Sequence, residues 1–188
     1  MVDTSREVTD SELLRRSAAG DPGALEVILG RYWAQVVRYA ASLLDDVDQA
    51  EDAAQECFVR LWERRETWKR DGSLRGLLFQ IVRNLALDER RRVRARARAV
   101  EQAREARPPR TPAQDAEAAE VRSLLARALR ALPERRREVF TLVRIHGMSH
   151  REVAELLAIA PQTVANHLSM ALAELRDALA AARDRPVG

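Results

Sequence analysis

The sequence predicts an almost all-α fold in two small helical domains, the second built around a helix-turn-helix. Three observations carry this. Ala, Leu, Glu and Arg dominate, while Gly and Pro number 7 each in 188 residues, a balance that favours helices. Apolar residues recur at three- and four-residue spacing, and no β-branched alternating run appears. Pro108, Pro109 and Pro112 fall together in ARPPRTPAQDA and forbid a helix interior there, so the chain divides at a semi-stiff linker.

Residues 1–8 read as a tail. Thr9 and Glu12 have capping-box spacing and start a first helix, which Gly20 ends. Asp21 caps a second helix with Pro22 at its first position. Leu25, Ile28, Leu29, Tyr32, Val36, Val37, Ala40 and Leu44 keep helical spacing through it. The acids of Asp45–Asp48 open a third helix and suit its dipole. One face of that helix is a stripe of Ala50, Ala54, Cys57, Phe58 and Leu61, which makes Cys57 a small core residue rather than a reactive thiol. The opposite face carries Gln49, Asp52, Gln55, Glu56 and Arg60. Asp71-Gly72 then breaks the chain and Ser73 caps a fourth helix. Leu78, Ile81, Val82, Leu85 and Val93 are its inward positions. The first domain thus spans 9–95 and the linker 96–116.

The second domain, 117–184, reads as four helices. The first runs from about Ala116 to Ala131. Pro133 starts the next, through Glu138, Val139, Leu142 and Ile145, and Gly147 ends it. Ser149 and Glu152 form a capping box for the third, HREVAELLA. Ile159-Ala160 makes a tight turn, and Pro161 opens the fourth, whose buried seam is Val164, Leu168, Leu172 and Leu175. In a helix-turn-helix the second helix sets its N-terminal residues against base edges. Gln162, Thr163, Ala165, Asn166, Ser169 and Met170 are the set left facing outward. Gln and Asn make paired hydrogen bonds to adenine, and Ala and Thr touch thymine methyls. Yet no Lys or Arg occurs from Pro161 to Leu175. Phosphate contacts supply most of the affinity of ordinary DNA binders, so here they must come from neighbours such as Arg144, Arg151 and Arg176, or from a partner.

Charge is concentrated rather than spread. The net charge is +3 and Lys69 is the only lysine. From Arg90 to Arg110 nine Arg stand against Glu101 and Glu105, a net of +7, which leaves −4 for the rest of the chain. Such a run fits phosphate contact. Cys57 is the single cysteine, which excludes an internal disulfide and points to a reducing compartment. The polar N-terminus, MVDTSREVTDSELLRRS, is no signal peptide, and no apolar run spans a membrane, so the expected location is cytoplasmic and without membrane insertion. No phosphate-binding glycine loop, nucleophile motif or carboxylate pair suggests an enzyme or a cofactor. His146 and His150 have the spacing of a helical metal pair, but Gly147 falls between them, and no metal site is expected.

Three stretches together resemble an extracytoplasmic-function sigma factor of the sigma-70 family. AEDAAQECFVRLW, Ala50 to Trp62, is similar to the polymerase-binding helix commonly written AEDLVQETFLRLW. LLFQIVRNLALDERRR, Leu77 to Arg92, resembles the helix that meets the −10 element. LPERRREVFTLVRIHGMSHREVAELLAIAPQTVANHLSMALAELR resembles the −35-binding domain. The three stand in the family's order and spacing over roughly Asp10 to Arg183.

The resemblance implies that holding is delegated: core RNA polymerase supplies nonspecific affinity and the chain supplies selection, recognising promoters and directing their opening. It implies contacts with the beta' clamp and beta subunits, with Asp52, Gln55 and Glu56, flanked by Gln49 and Arg60, as the docking face. It implies promoter DNA as partner, both duplex and melted single strand. A loop of Lys69, Arg70, Asp71, Gly72 and Ser73 would accept an extruded base, and Arg83, Asn84, Asp88, Arg91 and Arg92 would track the −10 strand, Asp88 having capping or pairing with an Arg as its structural alternative. Ser149, Arg144, Arg151 and Pro161 would join the outward set of the last helix on the −35 duplex. It further implies an anti-sigma factor as a protein antagonist. Where the family often has an aromatic near Leu77, Phe79 is the nearest ring to stack; where it has Lys or Arg, this chain has Ala165, His167 and Met170. The rival readings are an autonomous helix-turn-helix regulator, for which the Ala50–Trp62 block has no use, and a protein-only helical adaptor, which leaves the Arg run without purpose.

Overall fold

A computed structural model describes residues 8–44, 46–66, 73–101 and 116–183. Among them every regular element is helical. The chain divides between Arg96 and Ala97 into two compact units. No helix among the described residues is long and apolar enough to cross a membrane.

The first unit holds α1 (Asp10–Ala18), α2 (Pro22–Leu43), α3 (Val47–Glu63) and α4 (Leu74–Glu101). Thr9 caps α1 by accepting from the Glu12 N–H at 3.3 Å. The box is only half formed, because the Glu12 carboxylate takes Arg15 instead, at 2.6 and 2.8 Å. Gly20 turns the chain at φ 83, and Asp21 accepts from Gly23 with Pro22 leading α2. Asp21 also binds Arg16 at 2.7 Å, so one carboxylate closes α1 and opens α2. Asp46 caps α3 through two N–H groups. The tail of α1 is pinned to α2: Asp10 takes Arg31 at 2.6 Å and the Tyr32 hydroxyl. Burial first, and then the Asp10 carboxylate, push the Tyr32 phenol up to about 12.

All five stripe residues of α3 are buried. Cys57 is fully buried, its Sγ 3.4 Å from the Leu78 carbonyl oxygen, and burial pushes its thiol up to about 12. Leu78 and Val82 face the core as expected, while Ile81 and Leu85 are half-buried. Val93 is exposed at 42%, because its turn of α4 lies beyond the last buried residue of that helix, Ala86. Phe79 is not an available ring: it is fully buried and stacked on Tyr39 at 4.9 Å. The backbone of α4 continues as helix through the expected start of the linker at residue 96 to Glu101. The linker prolines, the loop residues Lys69 to Gly72, residues 1–7 and Asp45 lie outside the described residues.

The second unit holds α5 (Ala116–Ala131), α6 (Glu134–Phe140), α7 (His150–Leu157) and α8 (Pro161–Arg183). A π-helical turn, Thr141–Ile145, continues α6. It widens the coil by one residue, so that the His146 N–H reaches back to the Thr141 carbonyl at 3.0 Å. The seam expected through Val139, Leu142 and Ile145 is shifted accordingly. Val139 and Leu142 are buried, Ile145 is 52% exposed, and His146 and Met148 turn inward instead. Gly147 ends the segment at φ 63. On α8 Val164, Leu168 and Leu175 are buried, and Ala171 takes the core position that Leu172, half-buried, was expected to share. Ala171 and Leu175 pack with Ala128 and Leu132 of the α5 end.

Candidate protein and nucleic-acid interfaces

In the first unit, α3 has two unlike faces. With its apolar stripe turned inward, Asp52, Gln55 and Glu56 stand exposed and Gln49 and Arg60 half-buried beside them. Arg60 Nε donates to Glu56 Oε1 at 2.7 Å, one helical turn apart. The sequence reading missed Val59, 49% exposed in the same row. By helical spacing it falls between Gln55 and Glu56 one turn on, so the row is an acidic and amide surface with an apolar centre. Its signal was a valine at a polar-face position.

On α4, Ser73 accepts from the Gly76 N–H at 3.2 Å and starts the helix. Asn84, Asp88, Arg91 and Arg92 share one exposed face. Arg83 does not join them: it sits on the flank of the helix, half-buried. Asp88 pairs with Arg91 at 3.0 Å and Glu89 with Arg92 at 3.5 Å. Gln80, exposed one turn before Asn84 on the same face, is a polar group that the sequence reading passed over.

In the second unit the helix-turn-helix is α7, its turn and α8. Both halves of the capping box form: the Glu152 N–H donates to Ser149 Oγ at 3.2 Å, and the Ser149 N–H to Glu152 Oε2 at 2.7 Å. The Ser149 hydroxyl is thereby committed to the helix start, also donating to Glu152 at 2.7 Å. The turn rests on Ala158 in the left-handed region, φ 52 and ψ 49, with its N–H on the Glu155 carbonyl and that of Ile159 on Ala154. Arg135 braces it from α6: one N–H donates to the Leu157 carbonyl at 3.1 Å, the other to Glu138 at 3.3 Å. Glu138 is buried, so the brace is anchored inside the unit. Arg136 pairs with Glu174 and ties α6 to α8.

Pro161 leads α8 at the exposed mouth of this turn. Gln162, Asn166, Ser169 and Met170 form its exposed stripe, with Thr163 and Ala165 half-buried on either side. Gln162 donates to Asn166 Oδ1 at 3.1 Å, so the two amides form one unit. Arg144, on the π turn, and Arg151, on α7, are both exposed.

These surfaces coincide with two family models. Residues 28–96 match sigma-70 region 2, and residues 122–175 match sigma-70 region 4. The ECF RNA polymerase sigma factor SigL of Mycobacterium tuberculosis is 32% identical over 161 residues, covering 85% of this chain and 91% of SigL. The chain belongs to the extracytoplasmic-function sigma factors. This sigma factor is also 28% identical to SigM of M. tuberculosis over 171 residues, 90% of this chain and 84% of SigM. Its fold matches the structure of CnrH in complex with the cytosolic domain of CnrY at a TM-score of 0.69 and 25% identity, covering 92% of this chain and 97% of that one. As a sigma factor it binds core RNA polymerase, recognises promoter DNA and serves transcription initiation. α3 and the exposed face of α4 fall in region 2, and the stripe of α8 in region 4.

Proposed function

We propose a division of labour among the three surfaces of this sigma factor. The α3 face of Asp52, Gln55 and Glu56, flanked by Gln49 and Arg60 and centred on Val59, docks the core polymerase. The Lys69–Ser73 loop takes a base extruded from the −10 element, while Asn84, Asp88, Arg91 and Arg92, with Arg83 on the flank, track the melted strand. Gln162, Thr163, Ala165, Asn166, Ser169 and Met170 read the −35 duplex, with Arg144 and Arg151 on its phosphates and Ser149 and Pro161 shaping the entry. The chain is an initiation factor and performs no catalysis of its own. It works where the polymerase works, in the cytoplasm on the nucleoid. A protein antagonist holds it when idle; its likeness to CnrH, solved with the cytosolic domain of CnrY, supports that part.

The observation that carries this reading is the asymmetry of α3. Its inward face is fully committed to the core, whereas Asp52, Gln55 and Val59 have no work in the fold. An apolar side chain ringed by polar groups on an exposed helix suits a protein interface. The test is gel filtration of the chain with cognate core polymerase, without DNA. The wild type should co-elute and Gln55→Ala/Glu56→Ala should not. Equal binding by both would discard the docking face. Tight binding to free duplex DNA with none to core would instead favour an autonomous regulator.

A further inference from the structure

α4 outruns the core it belongs to. Its last buried residue is Ala86, and from Arg91 through Arg96 every side chain is exposed, while the helical backbone runs on to Glu101. Four of those six exposed residues are Arg91, Arg92, Arg94 and Arg96. Arg91 and Arg92 lean on Asp88 and Glu89. Arg94 and Arg96 have no ion-pair or hydrogen-bond partner among the described residues.

A helix that is polar all round has no packing to hold it, and like charges one turn apart, such as Arg92 and Arg96, oppose it. A polyanion laid along it removes both costs. Helical spacing sets Arg91 and Arg94 on one flank and Arg92 and Arg96 on the other, with Val93 continuing the seam direction between them. A single strand offers one line of phosphates. A duplex groove wide enough to admit a helix offers two, one on each side.

We propose that this overhang is a phosphate-gripping arm for duplex DNA beside the −10 element, sequence-independent, with Arg94 and Arg96 as its principal contacts. The inference rests on the reading of α4 as the −10 helix. It also answers the want of cations on α8: the affinity that its amide stripe lacks is supplied from the other unit.

The test measures the affinity of the polymerase holoenzyme for a promoter duplex across a salt series, with Arg94→Gln/Arg96→Gln against wild type. Each phosphate contact adds about 0.9 to the slope of log affinity against log salt, so the variant slope should be shallower by about 1.8. Between 50 and 200 mM salt that is a loss of affinity smaller by roughly 12-fold than the wild type suffers. Arg94→Lys/Arg96→Lys should keep the wild-type slope, since the attraction is one of charge. On a forked template that begins at the −10 element, without upstream duplex, wild type and the Gln variant should have the same slope. An unchanged slope on the full duplex overturns the proposal. So does a difference that persists on the fork, which would assign the Arg residues to the melted strand or to RNA. Failure of the wild type to form any promoter complex with core would sink the −10 reading itself, a result distinct from either.

Discussion

Ala158 holds the helix-turn-helix at a backbone angle that suits glycine. Its φ of 52 and ψ of 49 place it in the left-handed region, where an L-residue is destabilised by roughly 1–2 kcal/mol through the approach of its Cβ to the following carbonyl. The side chain is exposed, so Ala158→Gly loses no packing. Glycine brings a larger unfolded-state entropy, which offsets about 0.4–1 kcal/mol. The difference leaves Ala158→Gly more stable by roughly 0.5–1 kcal/mol, or about 2–8 °C in Tm for a domain of this size. The assay can isolate the second unit. The 3 Trp are Trp33, Trp62 and Trp68, all N-terminal to the division at Arg96. Tryptophan fluorescence therefore follows the first unit, and far-UV circular dichroism follows both. Only the dichroism transition should move upward. Destabilisation by Ala158→Gly, or a shift in the fluorescence transition, would refute the argument that the turn carries local strain.

Other expectations follow from the same geometry. Ser149→Ala, which removes the cap of α7, should destabilise the second unit by about 1 kcal/mol in dichroism alone; Asp46→Ala should cost a similar amount, about 1 kcal/mol, visible in fluorescence. Arg135→Ala should cost the second unit roughly 1–2 kcal/mol through the lost Leu157 and Glu138 bonds and weaken duplex −35 binding more than core binding, both measured on the holoenzyme. The Tyr32 phenol has an ordinary value of 10.0 and is held up at about 12 in the fold. Its raised value means that the native state keeps the proton longer, so its stabilisation is complete below about pH 10.0 and fades as pH climbs toward 12. Tyr32→Phe should flatten that alkaline loss in a denaturation series, and an unaltered pH profile would count against it.

How much of this was legible in the sequence depended on whether a residue's neighbours lay within one or two turns. The α3 stripe could be read because five apolar positions at helical spacing leave one possible inward face, and all five are buried. The Ser149–Glu152 box and the Asp21-Pro22 start are local chemistry and needed no tertiary knowledge. The misses are of another kind. Val93 continues the pattern of α4 past the edge of the core, and periodicity does not say where a domain stops. Phe79 was assigned to stacking because its partner, Tyr39, sits on another helix. Leu172 gave way to Ala171 at the contact with α5, where the smaller side chain faces Ala128 and Leu132. For the interfaces, spacing gave the faces of α3 and α8 but not which side chains engage each other. Neither the Gln162–Asn166 bond nor the reach of Arg135 to Leu157, twenty-two residues away, is written in a local pattern.

The π turn of Thr141–Ile145 makes the unit sensitive to length rather than to identity. One surplus residue is accommodated there. Deleting a single residue from it would restore an unbroken α-helix and rotate everything that follows by about 100°. His146 and Met148 would then swing out of the interior, and the Gly147–Ser149 bend would leave in a new direction. In a lineage drifting by insertion and deletion, this segment is therefore a place where substitutions pass and a one-codon loss does not.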